Sequence, residues 1–392
     1  MLAEICERNT MMLGVQVSSL SLQGVNALDP VACKFIPINL FVKDGNYVEN
    51  SPCADLDFSS GNYFITPGLT DLHTHLFEGQ DLGVSPDRDL LLSGVTRAVD
   101  AGSAGGHLFG AFRKLVIERS AVDIRAFVNI ASVGTTSIYL QGELKSPPYS
   151  NVDLAVNTVR DHSDVVIGIK VRASHDVGGI HTIEALHKAR EAADKAGVAL
   201  MVHLGPAPAT IQEILSKLGA GDILTHCFTG WEGNSLVENG KPKTFVLEAI
   251  KRGVILDVGH GAGGFDSTVA QIMISGGFLP NSISTDVHTG SIAKVHDLPS
   301  VMSKFLALGM TLEEIVDRSS YAPQRIGGFA FSKKSQYPVG QIANFALFKV
   351  EEGEFEFTDT KGHSFFGSNK ILPVLVVSAG QVVLDNQHLI GD

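Results

Sequence analysis

The sequence predicts an α/β protein, a (β/α)8 TIM barrel carrying a small composite β-sandwich made from the two ends of the chain. Three observations predict it. Between Phe64 and Leu308, eight short runs rich in Val, Ile and Leu alternate with segments of helical period. Those runs are nearly continuous in apolar residues, as parallel strands buried on both faces must be. The eight units occupy about 245 residues, the usual size of one such barrel. An open doubly wound sheet is the rival. It carries a glycine-rich phosphate loop after its first strand, where this chain places histidines.

In chain order the strand-like runs are FITPGLTDLHTH, GVTRAVDAG, IRAFVNIAS, VVIGIKVRAS, VALMVHLG, DILTHCF, GVILDVGH and NSISTDVH. Between the fourth and fifth, Ile180–Gly197 (IHTIEALHKAREAADKAG) has helical spacing and ends on a glycine suited to the C′ position. Its charged stretch HKAREAADK fits a solvated face with i,i+4 pairs rather than a binding surface. The flanks lack helical period. NFALFKV, EFEFTD, ILPVLVVSAG and QVVLDN read as short β segments. The expected division is therefore a sandwich from 1–63 and 335–392, and a barrel over 64–334.

Composition mainly excludes. The 392 residues are 44% hydrophobic and 18% charged, too apolar for long disorder. With 42 acidic against 30 basic residues, the formal charge is −12, which argues against a generally basic surface and against nucleic acid as a partner. The 41 glycines are scattered, as turns require, without a collagen period. No apolar run reaches the roughly 18 residues of a membrane span. The start, MLAEICERNTMMLGV, lacks the apolar core of a secretory signal. Cys6, Cys33, Cys53 and Cys227 lie far apart with no C-x-x-C pair, so a reducing, cytoplasmic setting is expected. A barrel exterior and a subunit interface read alike, which leaves a homo-oligomer open.

Chemistry concentrates at strand ends. His73 and His75 are two apart, so on a strand both face the same way. They end the first barrel strand, and barrel active sites lie at that face. His203 ends the fifth strand, His226 the sixth and Asp286 the eighth. Four imidazoles and a carboxylate at one rim suit borderline divalent metals, zinc being the default. The competing explanation is five polar core groups, each satisfied separately. Lys170 ends the fourth strand and leaves two outcomes open. It pairs with an acid, or it loses its proton and takes up carbon dioxide as a carbamate, an anion able to bridge two metals.

Together, PGLTDLHTH, Lys170, His203, His226 and Asp286 resemble the metal-binding set of the binuclear amidohydrolase superfamily, in order and in strand position. The terminal GQIANFALF also resembles a superfamily stretch, with Asn344 where aspartate is usual. GVTRAVDAGSAG, GIKVRASH, THCFTG, LDVGHG and ISTDVH are similar to the dihydroorotase-like subgroup, whose members include deacetylases of acylated α-hydroxy carboxylates. The resemblance implies His73, His75 and Asp286 on one metal, His203 and His226 on a second, and N-carboxylated Lys170 bridging them. Two cations sharing a water bring its pKa from 15.7 to near 7. The implied reaction is hydrolysis by the bridging hydroxide, with Asp286 as general base and then acid.

Substrate contacts are less sharply marked. Arg172 follows Lys170 by two residues and suits bidentate capture of a carboxylate; the alternative is an ion pair with a loop acid. His260, ending the seventh strand, either orients substrate or caps its glycine-rich turn. His175, His288, Tyr139 and Trp231 lie on neighbouring loops with no assigned role. One departure matters: dihydroorotases read H-x-H-x-R, whereas Phe77 stands at the arginine position here. D-aminoacylase-type relatives use a cysteine ligand, but Cys227 directly follows His226 and reads as a core thiol. The expected function is hydrolysis of an ester or amide bond in a small, carboxylate-bearing molecule. The alternatives are a cyclic-amide hydrolase of the dihydroorotase or hydantoinase kind, and a non-catalytic assembly protein of the same fold.

Overall fold

The structure, a computed structural model, describes residues 15–16, 19–50, 54, 56–59, 63–135, 137–331 and 336–386. Cys6, Cys53 and nearly all of the N-terminal stretch discussed above lie outside them. Among the described residues, seven parallel strands form the barrel wall. They are Leu69–Thr74, Val95–Asp100, Asp123–Asn129, Val166–Ala173, Ala199–Leu204, Ile223–Thr225 and Ile255–Asp257, each bonded to the next. Helices fill the outside. The longest, Thr182–Ala196, ends at Gly197 with φ +69°. Its charged face carries Glu184–Lys188 and Glu191–Lys195 pairs at 2.8 Å, as its spacing predicts.

Two predicted strands differ in detail. The first run divides at Pro67–Gly68: Tyr63–Thr66 joins the terminal sheet and Leu69–Thr74 begins the barrel. Proline offers no N–H to a ladder, and Gly68 adopts φ +95°. The eighth run, NSISTDVH, is not a regular strand. It closes the ring through two isolated parallel bridges, Asp257 with Ser282 and Thr74 with Val287. Asp286 lies between them at φ +50°, and a left-handed residue interrupts extended backbone.

The two ends of the chain build a nine-stranded sheet around an apolar cluster of its own, including Leu20, Val42, Phe58, Phe345 and Leu375. NFALFKV and EFEFTD form one strand, Phe345–Thr358, with a register shift between Glu352 and Phe355 that absorbs Gly353. It pairs antiparallel with Ser364–Ser378, and the turn between them reaches the barrel mouth. Inside the barrel, Leu72, Val99, Phe127, Met201, Ile223 and Phe329 pack into an apolar plug. No helix among the described residues is long and apolar enough to cross a membrane.

Candidate metal centre

Above the plug, the strand ends bring the predicted residues together. His73, His75 and Asp286 place three potential ligand atoms within 4.8 Å of one another. His73 Nε2 lies 3.2 Å from Asp286 Oδ1, and His75 Nε2 lies 3.3 Å from the same oxygen. Lys170 Nζ is 3.3 Å from His73 Nε2. Across the rim, His203 Nδ1 faces His226 Nε2 at 2.8 Å. All six predicted ligand positions therefore converge.

Hydrogen bonds behind the rings define which nitrogen faces inward. The Thr225 hydroxyl donates to Asp257 at 2.7 Å, so it accepts from His73 Nδ1 at 2.6 Å. The Ser103 hydroxyl donates to Asp100 at 2.7 Å and accepts from His75 Nδ1 at 2.9 Å. His226 Nδ1 donates to the Gly259 carbonyl at 2.6 Å. The inward Nε2 atoms of all three are then lone pairs. Outer partners that orient imidazoles in this way are the usual support of a metal site.

Electrostatics agree. Burial pushes His75 down to about 3 and His226 to about 4, and it lowers His203 well below its usual value with help from the neighbouring His226 and Arg172. These rings are neutral at physiological pH, the form in which an imidazole can bind a metal. For Asp286, burial is outweighed by the attraction of neighbouring His73, which holds it ionised. Burial likewise opposes charge on His73, yet Asp286 and Asp257 raise it. His226 Nε2, left as a lone pair by the Gly259 bond, accepts from His203 Nδ1 at 2.8 Å. The donor set thus fits divalent metals, and it is the chemistry of its atoms that makes it fit.

The backbone is shaped around this cluster. His226 and Asp286 both adopt positive φ, +60° and +50°, uncommon for residues other than glycine and frequent at functional sites. The turn after the seventh strand contributes Gly259, Gly261 and Gly264. A Cβ on these would strike Thr225, Asp286 and His226 respectively. Larger residues there would displace these side chains.

The remaining predicted residues are placed as follows. Arg172 shares a strand face with Lys170, and its Nη1 donates to Glu143 at 3.0 Å, the loop-acid pair weighed above. His260 is buried. Its Nδ1 meets the Gly261 carbonyl at 3.0 Å and its Nε2 meets Lys304 Nζ at 2.8 Å, so both nitrogens are engaged in and behind the turn. His288 stands 6.1 Å from His75, ring to ring. Tyr139 and His175 are exposed, and Trp231 is half-exposed. Phe77 is buried against Phe112, turned into the helix layer. Cys227 lies in the main core.

Several contributors were not predicted. Asp257 and Asp100 end the seventh and second strands, and an acid closing an apolar run was the signal already used for Asp286. Asp71 accepts from Thr285 through backbone and hydroxyl, tying the first strand to the segment that bears Asp286. Lys304 comes from the helix Leu298–Ala307, where nothing in the sequence sets it apart.

No family model matches the chain. Individual proteins do. A deacetylase of Brucella anthropi is 36% identical over 316 residues, covering 80% of this chain and 78% of that one. A crystal structure of a dihydroorotase superposes with a TM-score of 0.86 at 31% identity, covering 94% of this chain and 98% of that one. A crystal structure of an adenine deaminase gives 0.82 at 28% identity, covering 94% and 99%. The two solved structures carry different names, dihydroorotase and adenine deaminase, on one fold. The chain belongs to the amidohydrolase superfamily, within its dihydroorotase-like deacetylase group, and is a metal-dependent hydrolase.

Proposed function

We propose that the enzyme cleaves an ester or amide bond, releasing the acyl group of a small carboxylate-bearing molecule at a binuclear centre. The observation carrying this reading is the inward convergence of His73, His75, His203, His226, Lys170 and Asp286 at one buried rim. In this reading His73, His75 and Asp286 hold one ion and His203 and His226 the second, with zinc the ion expected from the ligand types. When bound, the metals supply a water that ionises near neutral pH and a Lewis-acid contact for the substrate carbonyl.

Lys170 joins them as a carbamate. Its hydrogen-bond neighbours are His73 Nε2 and Met201 Sδ rather than a carboxylate. Burial brings its amine down to about 8, so the uncharged form is accessible. Nζ adds to the carbon of carbon dioxide and loses one proton to solvent, leaving an anion where an ammonium would oppose the metals.

Asp286, ionised and beside the rim, takes the proton of the attacking water and passes it to the leaving oxygen or nitrogen. Arg172 receives the substrate carboxylate, exchanging it for Glu143. The overall charge of −12 works against an anionic substrate, so these local cations must supply the attraction.

A screen of acylated hydroxy acids, N-acyl amino acids and cyclic amides with zinc-loaded protein tests the reading. Turnover of acyclic acyl substrates bearing a free carboxylate is expected. Dihydroorotate turned over at comparable kcat/KM would overturn the argument from Phe77 and install the cyclic-amide reading.

A further inference from the structure

Lys304 is almost fully buried, yet it serves neither the metal ligands nor an ion pair at hydrogen-bond distance. Its ammonium donates to His260 Nε2 at 2.8 Å and to the Thr358 carbonyl at 2.9 Å. An ammonium has no acceptor capacity, so His260 Nε2 must carry the lone pair and Nδ1 the proton. Nδ1 then donates to the Gly261 carbonyl at 3.0 Å. Gly261 in turn packs so closely on Asp286 Oδ2 that no Cβ fits between them, and its N–H donates to Thr285 at 2.8 Å.

The turn of the terminal sheet braces the same loop. Thr360 donates to the Phe265 carbonyl at 2.6 Å, and Asp359 accepts from Ser267 N–H and hydroxyl at 3.1 and 3.0 Å. Phe265 stacks on His260 with ring centres 4.8 Å apart. Lys361 reaches over to the Gly230 carbonyl at 2.8 Å and to Asp266 at 3.0 Å. The loop 259–267 is thus fixed from outside by the terminal sheet and from behind by Lys304.

We infer that Lys304 is a positioning residue for catalysis: by donating to His260 Nε2 while the Gly261 carbonyl accepts from Nδ1, it holds the 259–264 turn against Asp286. The inference rests on the reading of Asp286 as the proton carrier. It also gives the terminal sheet a task, since Thr358 and the turn beyond it hold this assembly in place.

The test uses zinc-loaded protein with ¹⁵N-labelled histidine, the His260 signal being assigned by its loss in His260→Gln. Wild type should show the Nδ1–H pattern with the Nε2 signal shifted by the ammonium's hydrogen bond. Lys304→Met, which keeps the length and removes the donor, should lose that pattern. Its kcat for p-nitrophenyl acetate should fall roughly tenfold, with KM and zinc content unchanged. Lys304→Gln retains an N–H donor and should restore both the pattern and most of the rate. Thr360→Val, acting from the sheet side, should lower kcat in the same direction.

An unchanged His260 signal and rate in Lys304→Met would overturn the inference. So would loss of zinc together with the rate, or equal damage in the methionine and glutamine variants. Should wild type fail on both p-nitrophenyl acetate and carboxylate-bearing acyl substrates, the proposed reaction fails, while the comparison of His260 signals still decides whether Lys304 controls His260.

Discussion

Two layers of the barrel interior sit one above the other on the same strands, and they are chemically opposite. On Ala199–Leu204, Met201 and His203 share the inward face two residues apart; on Ile223–Thr225, Ile223 and Thr225 do the same. Phe127 and Asn129 repeat the pattern on Asp123–Asn129. The lower members join Leu72, Val99 and Phe329 in an apolar plug. The upper members line the rim or hold what lines it. Phe127, Ile223, Thr225 and Asn129 are all essentially buried, so burial does not separate the layers. What separates them is polarity: at the rim, His73, His75 and His226 each have an outer partner that offsets desolvation and turn Nε2 inward. We expect the lower layer to carry stability and the upper layer reactivity.

The largest effect expected from this division is on rate. Asp286→Asn should lower kcat/KM at least about a thousandfold while the melting temperature moves little; steady-state kinetics with calorimetry checks both. The mirror experiment is Phe127→Ala. It should cost about 3–5 kcal/mol in urea unfolding, with normal zinc content in the folded fraction. A rim variant that unfolds the protein, or a plug variant that abolishes rate without loss of stability, would dissolve the distinction.

Smaller effects sharpen it. Asp257→Asn should weaken zinc binding or activity roughly tenfold, because Asp257 orients Thr225 and through it His73; competition with a coloured chelator measures this. Arg172→Met should raise KM roughly tenfold for carboxylate-bearing substrates only. If neutral esters suffer equally, Arg172 belongs to the framework through Glu143.

The smallest effect concerns pH. Burial lowers Lys304 to about 8, so between that pH and the ordinary lysine range the native state binds fewer protons than the unfolded one. Stability from this group is therefore least below pH 8 and rises as pH climbs through that window. Lys304→Met should flatten that part of the unfolding free-energy profile.

Much of the site was legible because strand ends are punctuated. A polar residue closing an apolar run, as with His203, His226 and Asp286, is visible in one dimension. The barrel follows from the same alternation. The eighth strand was misjudged because backbone at positive φ in Asp286 leaves no trace in a Val- and Ile-containing run. The first run concealed a change of sheet at Pro67. Arg172 showed its face but not its partner, since Glu143 comes from a separate loop. Lys304 was illegible for a simpler reason. A lysine inside a helix reads as solvated, and only tertiary packing buries it beneath His260.

The most direct test of the account is metal stoichiometry in protein purified without chelators, read by plasma emission beside a melting curve. The account predicts about two divalent ions per chain in wild type, and loss of metal with activity in Lys170→Ala while the fold persists. A folded wild-type protein that contains no metal and still hydrolyses acyl substrates at full rate would contradict it.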